Sequence, residues 1–555
     1  MPDLRAIAIR AIPAFYSFGL AAIVFGPLFR PGYLLYHDAV STPRSFLTDS
    51  ALGLGDAAPR AVPQDAIVAV ASTVLDGGLV VKAILFASLW LAGWGAAVLA
   101  KSLLDASTGP QVVAATIAIW NPFVAERLLQ GHWSLLAGYA ALPWVVHAAL
   151  KGSWPGLAVC FAVAGLTPTG AVLAVLTAVA VVRGRHLIGV GLLAVAASAP
   201  WLIAAAMSEG GSSSDPAGVA AFAARAEPWL GTTGSLAGLG GIWNANAVPT
   251  SRTSVYALVG TVLLLVVVAA GLPGLLKRRD RVIYALALLA VVAIAFGAVA
   301  ATSWGIDAGE WVVVHVPGSG LFRDTQKWVA LAMPLYALAG ASAARESFRS
   351  LWTPKRLTSV VAAGLVLIAT PDLVWGVAGA LKPVHYPPSW ERVAAEVGEG
   401  DVAVLPGGMF RSFPYTGKAL VLDPAPRMLR SDVLQTGELI VAGGVVKGEG
   451  DRAARVEKTL LDGGPPSDLA ELGVAWVLVE HTTPGPLGSA GKTLAQLELT
   501  YDDAELTLYK VPGDVAASAK PRALAIAAHV LWAMLLAGGL LGLVVRRRRA
   551  TADQA

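Results

Sequence analysis

SVYALVGTVLLLVVVAAGLPGLLKRRDRVIYALALLAVVAIAFGAVAAT, residues 254–302, decides the fold class. Two apolar runs, 254–276 and 282–302, flank Lys277, Arg278, Arg279 and Arg281. Crossing the hydrocarbon of a bilayer takes about 20 apolar residues in a helix, and each run reaches that length. Lys and Arg gathered in a short connection mark the cytoplasmic side of such a pair.

The rest of the chain repeats this pattern. Of its 555 residues 56% are hydrophobic and 14% are charged, against about 25% charged in soluble domains. Mean hydropathy is +0.64. The net charge of +4 sits in short clusters between apolar runs, which is a topology signal and not a stripe that tracks phosphates, so no nucleic-acid partner is expected. Twelve spans are predicted: 8–29, 79–100, 110–125, 134–150, 154–168, 170–183, 187–206, 254–276, 282–302, 328–344, 357–378 and 522–545. Three of them, 110–125, 154–168 and 170–183, are short, and are read as tilted spans or as one re-entrant pair.

If all twelve cross, one side receives Arg5/Arg10, Lys101, Lys151, Arg183/Arg185, Lys277 to Arg281, Arg345/Arg349/Lys355/Arg356 and Arg546 to Arg549. Both termini are then cytoplasmic. The first run ends in Phe29, Arg30 and Pro31, without the small residues of a cleavage site, and reads as a retained helix. The single cysteine, Cys160, rules out an intrachain disulfide and a Cys-based metal site.

The expected organisation is a transmembrane module over 1–382 with outer loops 30–78, 207–253 and 303–327. An extracytoplasmic α/β domain over 383–520 follows, then a last helix and basic cytoplasmic tail over 521–555. In the first loop Ile67, Val68, Val70, Ala71, Val74 and Leu75 share a helical face that suits the membrane interface. In the outer domain helices are predicted over 390–397, 452–461 and 467–472. Strands are predicted over 402–405, 419–422 and 474–479, and a hairpin joins 497–501 to 505–510. Arg411, Tyr415 and Arg430 in that domain carry no assignment.

Several chemistries are set aside. Walker A, HExxH, GxSxG and Asp-x-Asp patterns are absent. Ionisable residues are almost missing from the middle of the spans, where an ion-coupled transporter keeps some. Polar residues gather instead at the outer ends of helices, in Tyr33 to Arg44, Asn121 to Trp133 and Phe322 to Lys327.

Two of these clusters carry a resemblance. NPFVAERLLQGHWSLLAGYAALPW, residues 121–144, and GLFRDTQKW, residues 320–328, look like the arabinofuranosyltransferase D family of actinobacterial cell-wall synthesis. The layout resembles the wider GT-C superfamily of membrane glycosyltransferases. That resemblance implies a sugar, arabinofuranose or mannose-like, passed from a polyprenyl-phosphate donor to a cell-envelope glycan or glycolipid at the plasma membrane. Membrane lipids are the other expected partners.

Asp38 follows the first span where such enzymes place a carboxylate base, and Asp49, Asp56 and Asp65 are its alternatives. Each of these acids could equally cap a turn. Arg323, Lys327 and Arg127 are assigned to the donor phosphate, since fixed cations suit a phosphate leaving group. In a helix Arg323 and Lys327 would share one face. His37, Glu126, His132, Trp133 and Asp324 are assigned to the cavity wall, although Glu126–Arg127 and Arg323–Asp324 could be plain local ion pairs. Trp229, Trp243, Asn244 and Asn246 could form a sugar-binding wall. No residue is assigned to a metal. A lipid-linked glycan flippase and a non-catalytic GT-C-like scaffold are the rival readings.

The topology has a direct test. With Cys160 removed, an impermeant thiol reagent should label Ser467→Cys and not Ala550→Cys in intact cells. The reverse pattern would overturn the whole map.

Overall fold

The computed structural model describes residues 4–56, 59–207, 214–347, 355–441, 444–516 and 520–552. Arg349, one of the basic residues above, lies outside them.

Eight helices among the described residues are long and apolar enough to span: Ile9–Phe29, Gly77–Leu104, Thr108–Gln130, Trp133–Leu150, His186–Met207, Tyr256–Leu276, Arg281–Ala300 and Arg522–Arg549. A ninth is bent by 80° between Leu357–Ala369 and Pro371–Gly379. The expected count of twelve is not confirmed by this measure, which also leaves two shorter apolar helices. Trp154–Ala164 and Pro168–Val181 are 11 and 14 residues long, separated where Thr167 caps the amide of Gly170 at 3.0 Å and Pro168 starts a new helix. At 1.5 Å per residue neither bridges a bilayer of roughly 30 Å unaided. The 328–344 run is a 3₁₀ rod, Thr325–Ala332, continued by the α-helix Met333–Ser342, in which every residue is buried.

The bundle closes on small residues. A Cβ added to Gly271 would lie 1.8 Å from the carbonyl oxygen of Ala339, so Tyr256–Leu276 and Met333–Ser342 touch backbone to backbone. The bent helix holds a less common feature. Trp375, Val377 and Ala378 have φ of 57°, 53° and 54° around Gly376 at 67°, a left-handed turn. Each L-residue there costs roughly 1–2 kcal/mol. The turn places the Trp375 ring where a Cβ on Gly26 would stand, 2.4 Å away.

The first loop does not fold as expected along its whole length. Its helix is short, Gln64–Ala71, and buries Ala66, Val68 and Ala69. Val70, Val74 and Leu75 are exposed, so the expected single apolar face is divided between the core and the outside.

Residues 383–516 build a four-stranded mixed sheet in the order Asp401–Leu405, Val474–Glu480, Leu506–Lys510, Glu498–Asp502. The first pair is parallel and the others antiparallel. Both sheet faces are covered, which is why the strand Val474–Glu480 is buried throughout and apolar up to Val479. Val402, Val404, Trp476 and Leu478 face one cluster with Trp390 and Val393. Ala403, Leu405, Val477 and Val479 face another with Val456 and Leu460. Arg411, fully buried, pairs with Asp423 at 2.9 Å and with Glu480 inside this domain.

The first loop docks onto that domain. Tyr33 and Val384 exchange backbone hydrogen bonds of 2.8 and 2.9 Å, and the amide of Leu422 donates to the carbonyl of His37 at 2.8 Å. Asp56 accepts from the amide of Ala453 at 2.7 Å, and Asp65 pairs with Arg427 at 2.9 Å.

Gly271→Val should lower the melting temperature of the detergent-solubilised protein by several degrees, because overpacking a close contact typically costs about 1–3 kcal/mol. An unchanged melt would mean that these two helices are not packed as described.

Candidate functional site

The site grows from the sequence NPFVAERLLQGHW. Asn121 accepts a hydrogen bond from the amide of Val124 at 3.1 Å and Pro122 follows it, which starts the helix Pro122–Gln130. Gly131 ends it at φ 84°. A Cβ on Gly131 would stand 2.3 Å from the amide nitrogen of Ala39. The glycine therefore admits the tip of the first outer loop, a small hairpin pairing Leu35 with Val40 and Tyr36 with Ala39. His37 and Asp38 form the tip, with His37 at φ 45°.

Asp38 is fixed from three directions. Its amide donates to the carbonyl of Gln130 at 3.1 Å. Its Oδ2 accepts from Gln130 Nε2 and from His132 Nε2, both at 3.0 Å. The carboxylate remains 30% exposed, so it can still meet a ligand. Asn244 Nδ2 donates to Gln130 Oε1 at 2.8 Å and sets the amide that faces Asp38.

Behind Asp38 lies a buried polar chain. Arg127 Nη1 donates to His132 Nδ1 at 3.1 Å and to Asp324 Oδ2 at 2.9 Å. Arg127 Nη2 donates to Asp324 Oδ1 at 3.2 Å and to Gln326 Oε1. Since His132 Nδ1 faces a guanidinium that can only donate, the ring proton belongs on Nε2, aimed at Asp38. Gln326 Nε2 donates to Glu126 at 2.9 Å, and Glu126 accepts the amides of Gly241 and Ile242 at 3.1 and 3.2 Å. Lys327 Nζ stands 3.5 Å from Asp324 Oδ2 and is 22% exposed.

Charge states follow. Burial opposes ionisation of Asp38, but the hydrogen bonds from His132 and Gln130 outweigh it and lower its pKa. Burial, helped by Arg127, keeps His132 below its ordinary value in spite of Asp38. Burial also works against Asp324, yet Arg127 and Lys327 hold its carboxyl at about 2. At neutral pH this gives an ionised Asp38, a neutral His132 and an ionised Asp324.

The sequence-assigned residues thus separate. Asp38, Gln130, His132, Arg127, Asp324 and Lys327 form one connected set. Arg127 is fully buried with its Nη atoms engaged by protein groups, so it positions His132 and Asp324 and does not face an open cavity. Arg323 does not share a face with Lys327. Asp324 has ψ 85° and breaks the helix between them, and Arg323 turns to Phe222, Gly320 and Glu449, the last at 3.8 Å. His37 bonds the carbonyl of Leu129 at 2.7 Å and anchors the loop; it does not orient Asp38. Glu126 and Trp133 are buried supports. Asn244 reaches the site and Trp243 packs on Phe222, while Trp229 is 77% exposed.

The alternative acids have other tasks: Asp49 meets Arg522, and Asp56 and Asp65 dock the outer domain. Among the described residues no group of three or more His, Cys, Asp or Glu could hold a metal ion. Sequence reasoning missed Gln130 and Gln326, whose side-chain amides link the charged groups. Their positions inside the two resembling segments were the available signal.

Two solved structures of the arabinofuranosyltransferase AftD from Mycobacteria, one of them a mutant, are similar to this chain in fold, with TM-scores of 0.56 and 0.53 over 91% of it. Identity is 15% in both cases, and the chain spans 40% and 41% of their lengths. No family model matches the sequence, and no curated protein matches it.

Removing one member of the buried pair should be costly. Arg127→Ala should destabilise the protein by about 3–5 kcal/mol by leaving the buried Asp324 with only Lys327, 3.5 Å away, as counter-charge, whereas Arg127→Met combined with Asp324→Leu should cost less. Unfolding melts of wild type, Arg127→Ala and the double variant decide it. A double variant no more stable than Arg127→Ala would show that the two charges do not act together.

Proposed function

We propose that the chain is a membrane glycosyltransferase that moves a sugar from a polyprenyl-phosphate donor to a hydroxyl of an envelope glycan or glycolipid. The observation that carries this reading is Asp38: an ionised, partly exposed carboxylate at the mouth of the bundle, held by Gln130 and by the neutral His132. Its fold likeness to AftD supports the class, and the sugar, arabinofuranose or mannose-like, follows only from the resemblance.

In this reading Asp38 takes the proton of the acceptor hydroxyl as that oxygen bonds to the anomeric carbon. The bond from that carbon to the phosphate oxygen breaks, and the phosphate leaves with the electron pair. Lys327, partly exposed and close enough to interact with the charge of Asp38, offers a point charge to the departing phosphate. Arg127 acts through others: it keeps the His132 proton on Nε2 and holds Asp324 beside Lys327. Arg323 has no part in this step. The flippase reading would need a polar path through the bundle, and no observation favours one.

Asp38→Asn keeps the shape and loses the basicity, so transfer from a polyprenyl-phosphate sugar should fall by at least about 10²-fold while the melt stays near wild type. Because the pKa of Asp38 is lowered, wild-type kcat/KM should hold as pH falls through the ordinary carboxylate range and drop only below it. Full activity in Asp38→Asn would end this assignment.

A further inference from the structure

At the outer end of the first span lies a second concavity, separate from the Asp38 network. It measures about 510 Å³ and is lined by Pro27, Arg30, Pro31, Trp375, Gly379, Lys382, Pro383 and His385. Three of these side chains are basic and none is acidic. Among the described residues the side chains of Arg30, Lys382 and His385 take part in no hydrogen bond or ion pair. Most charged groups at the Asp38 site, by contrast, already have a counter-charge.

The walls are built rather than accidental. The left-handed turn at Trp375–Ala378 is what brings Trp375 against Gly26 and into this pocket. Strained backbone held by its surroundings concentrates at ligand sites. Lys82 donates to the carbonyl of Arg30 at 2.9 Å and pins the other wall. Below the pocket the surface turns apolar. Phe29, 59% exposed, is next in the chain to Arg30, and its ring packs 4.8 Å from Phe25 and 5.6 Å from Phe86.

We infer that this pocket binds the phosphate headgroup of an anionic bilayer phospholipid, with its acyl chains lying along the first span beside Phe29. Arg30 supplies a forked grip on phosphate oxygens, Lys382 a point charge and His385 a further donor. Trp375 occupies the interfacial level where an indole prefers to stand. A free phosphate would use the same cations, but it would leave the apolar strip beneath them unused.

The test uses the full chain in nanodiscs. Native mass spectrometry should show phosphatidylglycerol retained in preference to phosphatidylcholine. Arg30→Ala with Lys382→Ala should weaken that retention by about tenfold or more, the scale set by losing two charge-assisted contacts. Arg30→Lys with Lys382→Arg, which keeps both charges, should retain most of it, and similar melts of both double variants in phosphatidylcholine check that each folds. Equal phosphatidylglycerol retention by wild type and the alanine variant overturns the proposal. So does stabilisation by inorganic phosphate alone that matches the effect of the lipid, which would assign the site to a soluble anion.

Discussion

The ion pair between Arg127 and Asp324 is the contact on which the other parts of the site depend. It joins two segments far apart in sequence and lies almost wholly out of water. In so dry a place an unpaired charge is prohibitively unfavourable, so each partner fixes the other. Through Nη1 the pair sets the tautomer of His132, and through His132 it reaches Asp38. Gln326 carries the same constraint to Glu126, which gathers the backbone of Gly241 and Ile242. A second pair, Arg252 with Glu227, repeats the device inside the loop between 207 and 256, and neither side chain of it is exposed.

Much of the architecture was legible because bilayers impose lengths and strands buried on both faces read as short apolar runs. The apolar runs around 254–302 became the helices Tyr256–Leu276 and Arg281–Ala300. The strands around Val402 and Val474 were readable as short valine-containing runs, and the hairpin from the turn at Asp502 and Asp503 between its two strands. The number of crossings is what hydropathy fixes least. The short runs 154–168 and 170–183 became two short helices, Trp154–Ala164 and Pro168–Val181, with Thr167 capping the second, and length alone does not say which of them crosses.

The site was legible in its residue types and less so in its contacts. Asp38, His132, Arg127, Asp324 and Lys327 were all singled out, and they do meet. Arg323 was joined to Lys327 by assuming a continuous helix, and the backbone at Asp324 breaks it. His37 drew attention as the neighbour of Asp38, but adjacent residues at a hairpin tip diverge, and the imidazole that serves Asp38 comes from the Gly131 turn. Spacing arguments reach within one helix; partners that arrive from another segment leave no periodic trace.

The docking of the first loop has a consequence for biogenesis. The Asp38 hairpin leaves the ribosome early, whereas Leu422 and Val384, which hold its backbone, follow only after most of the spans have been made. At typical translation speeds the delay is on the order of tens of seconds. During that interval the nascent loop has its helix-side partners but lacks its lid-side ones. A half-inserted chain is thus kept from presenting a finished site, and maturation is tied to the folding of residues 383–516 against the loop.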